Sequence, residues 1–251
     1  MSTHVGNVGS ADCFEGSLGR DLLLTERSII DDMISDVFGF NAIQIGFSDY
    51  EFLNNSRIPN KHTLSDSLTA DIFGCPHKNP IKSCSVDLVV MPHALEFSSN
   101  PHSVVREVER ILLPGGVLVL SAFNPLSFWG LRHIIKRYAS SGKHVSPELL
   151  SLWRVKDWLK LLSIDIEAGR WGYYRLPLAR EDWRERFQFM ESAGDRWWPI
   201  FGGLFFLKAV KKVRGMRITL DRWPTYNPVH QAIRSTQKDA AESLKSRRYT
   251  V

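Results

Sequence analysis

The chain has 251 residues, 43% of them hydrophobic, which suits one α/β domain with a sizeable core. Its formal charge is +5, yet no apolar run reaches the ~18 residues that span a bilayer, residues 199–207 being the longest before Lys208 ends them. Cys13, Cys75 and Cys84 form no C-x-x-C pair, which argues against a disulfide framework or a zinc site; with no basic-then-apolar leader at the N-terminus, a cytoplasmic protein is expected.

In chain order, Leu23, Ile29, Ile30, Met33, Ile34 and Val37 recur at helical spacing, which predicts a helix over 22–36 closed by Gly39. NAIQIG (41–46) reads as a strand. The polar run 57–66 shows no strand ending in a carboxylate, and Asp66, in a Ser-Asp-Ser turn, reads as a cap. VDLVVM (86–91) has the continuous apolar character of a strand buried on both faces of a parallel sheet. Asn100-Pro101 supplies an N-cap and a proline at the first helical position. Val104, Val105, Val108, Ile111 and Leu112 share one stripe of the helix that follows, and Pro114-Gly115-Gly116 turns the chain into a second buried strand, VLVLSAF (117–123). Two such strands joined by one helix make a right-handed crossover. Beyond it come a basic, aromatic helix-like stretch (126–139), an apolar helical segment (149–162), an alternating strand (164–176), a polar helix (180–192) and a strand (203–213) that begins apolar and ends basic.

The segment 85–124 resembles the second half of the class I S-adenosylmethionine-dependent methyltransferase fold. The resemblance rests on Asp87 opening the strand, His93-Ala94-Leu95-Glu96 in the loop, Arg106-Glu107 with Arg110 in the helix, and Leu113-Pro114-Gly115-Gly116 before the next strand. It is closest to bacterial small-molecule (type 11) methyltransferases, some of which share the strings at 124–132 and 194–199. The resemblance implies a Rossmann-like, mostly parallel sheet of about seven strands with an antiparallel C-terminal hairpin and an abbreviated second strand and helix. The expected organisation is a flexible N-terminus (1–20), the methyltransferase-like domain (21–215, with a helical insertion at about 177–200) and a basic, partly disordered tail (216–251).

The resemblance also implies S-adenosylmethionine as cofactor, held at the front of the sheet. There Gly46 keeps one glycine of the family's loop, Gln44 stands where the family has an acid, and Phe47 and Ser48 place side chains where backbone clearance is expected. The adenine contact falls by spacing on Cys75, with Asp71 as the acidic alternative, and Pro92 is a further candidate for holding the cofactor. For chemistry, His93 is the best-placed general base and Glu96 its orienting partner; the plainer reading makes His93 a loop cap and Glu96 a surface residue. Asn124 either offers an amide to a ligand or forms a turn before Pro125.

Two functions follow. One is methyl transfer to a small-molecule or lipid-like acceptor. The other is a non-catalytic scaffold that has lost its donor site. Phe128 and Trp129 beside Arg132, His133, Lys136 and Arg137 suit a peripheral contact with an anionic membrane. The basic tail reads first as solvated chain; an RNA-binding reading has no motif behind it, and no metal site is expected.

Overall fold

The computed structural model describes residues 14, 17–132, 149–174 and 201–212. Helices α1 (Ser17–Ile34), α2 (Pro101–Ile111) and α3 (Leu152–Leu161) accompany seven strands among them. The strands are β1 (Asn41–Ile45), β2 (Asn60–Ser65), β3 (Ile72–Phe73), β4 (Val86–Pro92), β5 (Leu112–Phe123), β6 (Ile164–Gly172) and β7 (Leu204–Lys211). They form one sheet in the order β3-β2-β1-β4-β5-β7-β6. The first five are parallel, and β7 runs antiparallel to both β5 and β6. This is the mostly parallel, Rossmann-like sheet with a terminal hairpin that the sequence led us to expect.

Strand alternation divides the core between the two faces. Val89 and Met91 of β4 point to one side with Val104, Val105 and Val108 of α2 and Val155 and Leu159 of α3. Leu88 and Val90 point to the other with Leu22, Leu23, Ile30, Met33 and Ile34 of α1. Burial on both faces is why β4 reads as an unbroken apolar run. The α2 cap forms as expected, the Asn100 side chain accepting the Ser103 N–H at 3.2 Å. At the other end of α2 the Lys211 ammonium donates to the carbonyls of Glu109 (2.5 Å) and Leu112 (3.1 Å), a cation where the helix dipole is negative. Arg110 leaves the apolar stripe to bind Glu107 and donate to Ile81 O (2.8 Å) and Ser83 Oγ (2.9 Å), which ties the loop before β4 onto α2.

Several boundaries differ from the sequence expectation. The first helix begins at Ser17, in a stretch without apolar periodicity. Gly39 closes no helix: a Cβ there would lie 2.3 Å from the Asp87 Cβ, and that close approach is what requires glycine. Helix α2 ends at Ile111, and Pro114-Gly115-Gly116 lies inside β5, whose pairing with β4 shifts register between Val86 and Leu88. The shift absorbs the three-residue irregularity, Gly115 taking φ +81. The segment 57–66, in which no strand ending in a carboxylate was expected, contains β2, paired on both sides by β1 and β3 and followed directly by Asp66. The expected abbreviation takes the form of a missing helix, none lying between β1 and β2. The insertion at 177–200 and the tail at 216–251 lie outside the described residues.

Candidate active site

Strand order reverses between β1 and β4, and in open α/β sheets the crevice beyond the carboxyl ends of two such strands is where ligands bind. Gly46 turns the chain out of β1 with φ +83, and Phe47 follows at φ +48. Across the gap, a Cβ on Gly46 would lie 3.6 Å from the Ala94 Cβ and 3.9 Å from the Pro92 carbonyl. Gly46 thus lies across from Pro92 and Ala94, the residues on either side of His93. The Phe47 ring is buried against Phe14, His93 and Phe97, with ring centroids 4.9, 5.9 and 6.0 Å away.

Gln44 sits beneath this turn, wholly buried. Its Nε2 donates to the carbonyls of Gly46 (3.2 Å), Phe47 (2.9 Å) and Tyr50 (2.7 Å), and its Oε1 accepts the Phe52 N–H at 2.9 Å. One carboxamide thus holds the whole loop that follows β1. A carboxylate could accept from Phe52 but could not donate to the three carbonyls.

His93 leaves β4 in the left-handed region, φ +49, its N–H donating to Ser121 O at 3.0 Å. The imidazole has no exposed surface. Its Nδ1 lies 2.5 Å from Glu96 Oε2 and its Nε2 3.4 Å from Glu26 Oε2 of α1. Glu96 Oε1 accepts the Phe123 N–H at 2.7 Å, and Glu26 Oε1 accepts the Ser121 hydroxyl. Burial opposes a charged ring, but the two carboxylates outweigh it and push the His93 pKa up to about 10. Burial raises the Glu96 carboxyl, against the pull of His93. Glu96 is not at the surface, as the plainer reading had it. Glu26 was not singled out in the sequence, although it falls on the same stripe of α1 as Leu22, Leu23, Ile30 and Met33, and a glutamate on an apolar stripe is the signal for a buried partner.

The other candidates lie toward the β2–β3 edge. Asp71 Oδ2 accepts the Thr63 N–H at 2.8 Å, so that carboxylate already serves the β2 backbone. Cys75 is an exposed free thiol just past β3. Asp66, read from sequence as a turn cap, directly follows the last residue of β2, about 20 residues after Gly46, the spacing at which this type of fold places an acid for ribose hydroxyls. Its side chain is contacted by Ser65 Oγ at 3.4 Å. Thr69 Oγ1, donating to Ser48 Oγ at 2.7 Å, links the loops after β1 and β2. Asn124 is buried in the turn after β5, donating to Gly202 O and accepting from Leu126 N, both at 3.0 Å. Among the described residues no group of His, Cys, Asp and Glu is arranged to hold a metal, and no helix is long and apolar enough to cross a membrane.

Residues 51–120 match the family model of the methyltransferase domain, type 11. The chain is 30% identical over 166 residues to the uncharacterized protein YafS of Escherichia coli (strain K12), a match covering 63% of this chain and 67% of that one. It is 35% identical over 148 residues to the uncharacterized chloroplastic methyltransferase At1g78140 of Arabidopsis thaliana, covering 56% of this chain but 38% of the plant protein. A solved S-adenosylmethionine-dependent methyltransferase from Thermotoga maritima shares the fold at TM-score 0.57 and 17% identity, over 77% of this chain and 90% of that one. The chain belongs to the class I S-adenosylmethionine-dependent methyltransferase family, which implies S-adenosylmethionine as methyl donor. The residues present fit such a donor at two points: the left-handed Gly46 turn, whose bare backbone keeps a side chain out of the gap facing Ala94 and Pro92, and the Asp66 carboxylate directly after β2.

Proposed function

We propose that this chain transfers a methyl group from S-adenosylmethionine to a small, lipid-like acceptor. The observation that carries the reading is the left-handed Gly46 turn at the end of β1, which faces Pro92 and Ala94 across the point where strand order reverses. The donor, when bound, supplies an electrophilic methyl group on sulfur. The backbone at Gly46 and Phe47 and the wall at Pro92 would hold its amino-acid end, and the Asp66 carboxylate would accept from its ribose hydroxyls. In this reading positioning supplies most of the rate. His93, cationic and enclosed, serves as a fixed charge beneath the site, since a ring that keeps its proton at neutral pH is a poor general base.

The acceptor class follows from the surface beside the crevice. Phe123 at the end of β5 pairs with Leu204 at the start of β7, so the segments beyond them share the crevice's end of the sheet. Leu126, Phe128 and Leu131 are each at least half exposed there, as is Phe201. With Arg132, and with His133, Lys136 and Arg137 following in the sequence, these side chains suit contact with an anionic bilayer from which an amphiphilic acceptor could enter. Isotope-labelled donor incubated with the protein and a bacterial lipid extract should give label in the organic phase. Flotation with phosphatidylglycerol vesicles should carry the protein, and Phe128→Glu should reduce that. Label confined to the aqueous phase would contradict the lipid-like acceptor. The scaffold reading is favoured by one observation, the thiol of Cys75 where an acid would meet adenine; failure of donor binding would select it.

A further inference from the structure

Burying two carboxylates and an imidazole among aromatic rings is costly, and an apolar cluster of equal volume would generally hold the same elements at least as well. Here the rings of Phe14, Phe47 and Phe123 lie with centroids 5.1, 5.9 and 4.4 Å from that of His93, so the ions gain nothing from water. What the ions do offer is direction. Each carboxylate has one oxygen facing the imidazole and the other bound to β5: Glu96 at the Phe123 N–H, Glu26 at the Ser121 hydroxyl. The ring is held from both edges, and the two holders are fixed to strand β5 and helix α1.

We propose that Glu26, His93 and Glu96 act as one buried positioning unit that fixes the turn after β4 and, through it, the wall of the β1/β4 crevice. His93 is a non-glycine residue at φ +49, a conformation that needs support from its surroundings. Its neighbour Ala94 is the residue that faces the Gly46 turn, and its ring touches Phe47 of that turn. A shift of the imidazole therefore reaches both sides of the crevice at once. His93 Nε2 and Glu26 Oε2 face each other at 3.4 Å, each buried and without a hydrogen-bond partner of its own, so the ring and the α1 side chain close on one another. None of the three side chains is exposed, so they are positioning residues and not groups that touch a substrate.

That the crevice is a donor site rests on the function proposed above; the unit itself can be tested without a ligand. Nitrogen-15 spectra of the native chain should show the His93 imidazole doubly protonated at pH 8, well above the range of a free histidine. Glu26→Gln keeps the shape and can still bind Ser121, but removes one charge. It should lower the pH at which the ring loses its proton, move the amide resonances of Gly46, Phe47 and Ala94, and weaken binding of S-adenosylmethionine at least about tenfold. Ser121→Ala, which frees the Glu26 carboxylate without altering charge, should move the same amides by less, and decides the matter should Glu26→Gln not fold. A neutral His93 ring at pH 8 in the native chain would overturn the proposal. So would unchanged Gly46 and Ala94 resonances in the folded variants. If the native chain binds no donor, the methyltransferase reading fails, while the ring and amide signals still decide the unit.

Discussion

The Asp87 carboxylate occupies the space that a side chain on Gly39 would need, and one of its oxygens accepts the N–H groups of Phe40 (2.8 Å) and Asn41 (3.0 Å). The first residues of β4 thereby fix the entry of β1, at the opposite end of the sheet from the crevice. Asp87→Ala should cost about 1–3 kcal/mol, because both amides lose their acceptor. Gly39→Ala should cost more, since its Cβ would meet the Asp87 Cβ at 2.3 Å and the backbone must move. Urea denaturation midpoints check both, with helical circular dichroism as the probe. A Gly39→Ala chain as stable as the native one would contradict the packing described.

Gln44 gives a second, less intuitive expectation. An acid in place of Gln44 should harm this chain. Gln44→Glu would aim a buried carboxylate at the carbonyls of Gly46, Phe47 and Tyr50, costing roughly 2 kcal/mol or more at neutral pH. The loss should shrink in acid, where a protonated glutamate can donate one hydrogen bond. Thermal unfolding at pH 5 and pH 8 would reveal this; equal destabilisation at both would argue against the carbonyl clasp.

Asp66 is expected to act in binding with little effect on stability, its contact in the free chain being the Ser65 hydroxyl at 3.4 Å. Asp66→Ala should leave the melting temperature nearly unchanged and weaken S-adenosylmethionine by about 1.5–3 kcal/mol, the worth of hydrogen bonds to a charged acceptor. Calorimetry on the two proteins side by side measures it. An affinity unchanged by Asp66→Ala would remove Asp66 from the site.

The buried histidine carries a pH signature. Its pKa lies near 10 in the folded chain and near 6.5 in a free one, so the folded state binds the proton more tightly. This contribution to stability is complete below about pH 6.5, declines as pH rises between the two values, and is gone above about pH 10. The native chain should lose denaturation midpoint across that window more steeply than His93→Gln does. Parallel curves for the two proteins would show that the ring does not hold its proton in the fold.

What could be read from the residues was what local patterns encode. Strand β4, helix α2 and the core strand after it carry continuous apolar runs, an Asn-Pro start and a single apolar stripe, and each needs only its own neighbours to be recognised. Strand β2 has no such mark. Its residues NKHTLS bury only Leu64 and Ser65, and it is a strand because β1 and β3 pair with it. Overlooking that strand made Asp66 read as a turn residue. His93 and Glu96 were visible as a pair because three positions separate them. Glu26 belongs to a distant helix, and only packing of α1 on the sheet brings it to the imidazole. Gly39 was legible as glycine but not for its reason, which is the approach of Asp87.

One titration tests the donor site most directly: S-adenosylmethionine into the purified chain, followed by calorimetry. Saturable one-to-one binding, weakened by Asp66→Ala and by a bulky residue at Gly46, is the predicted result. No heat at high micromolar donor, from protein shown to be folded, would contradict the claim that this crevice holds a methyl donor.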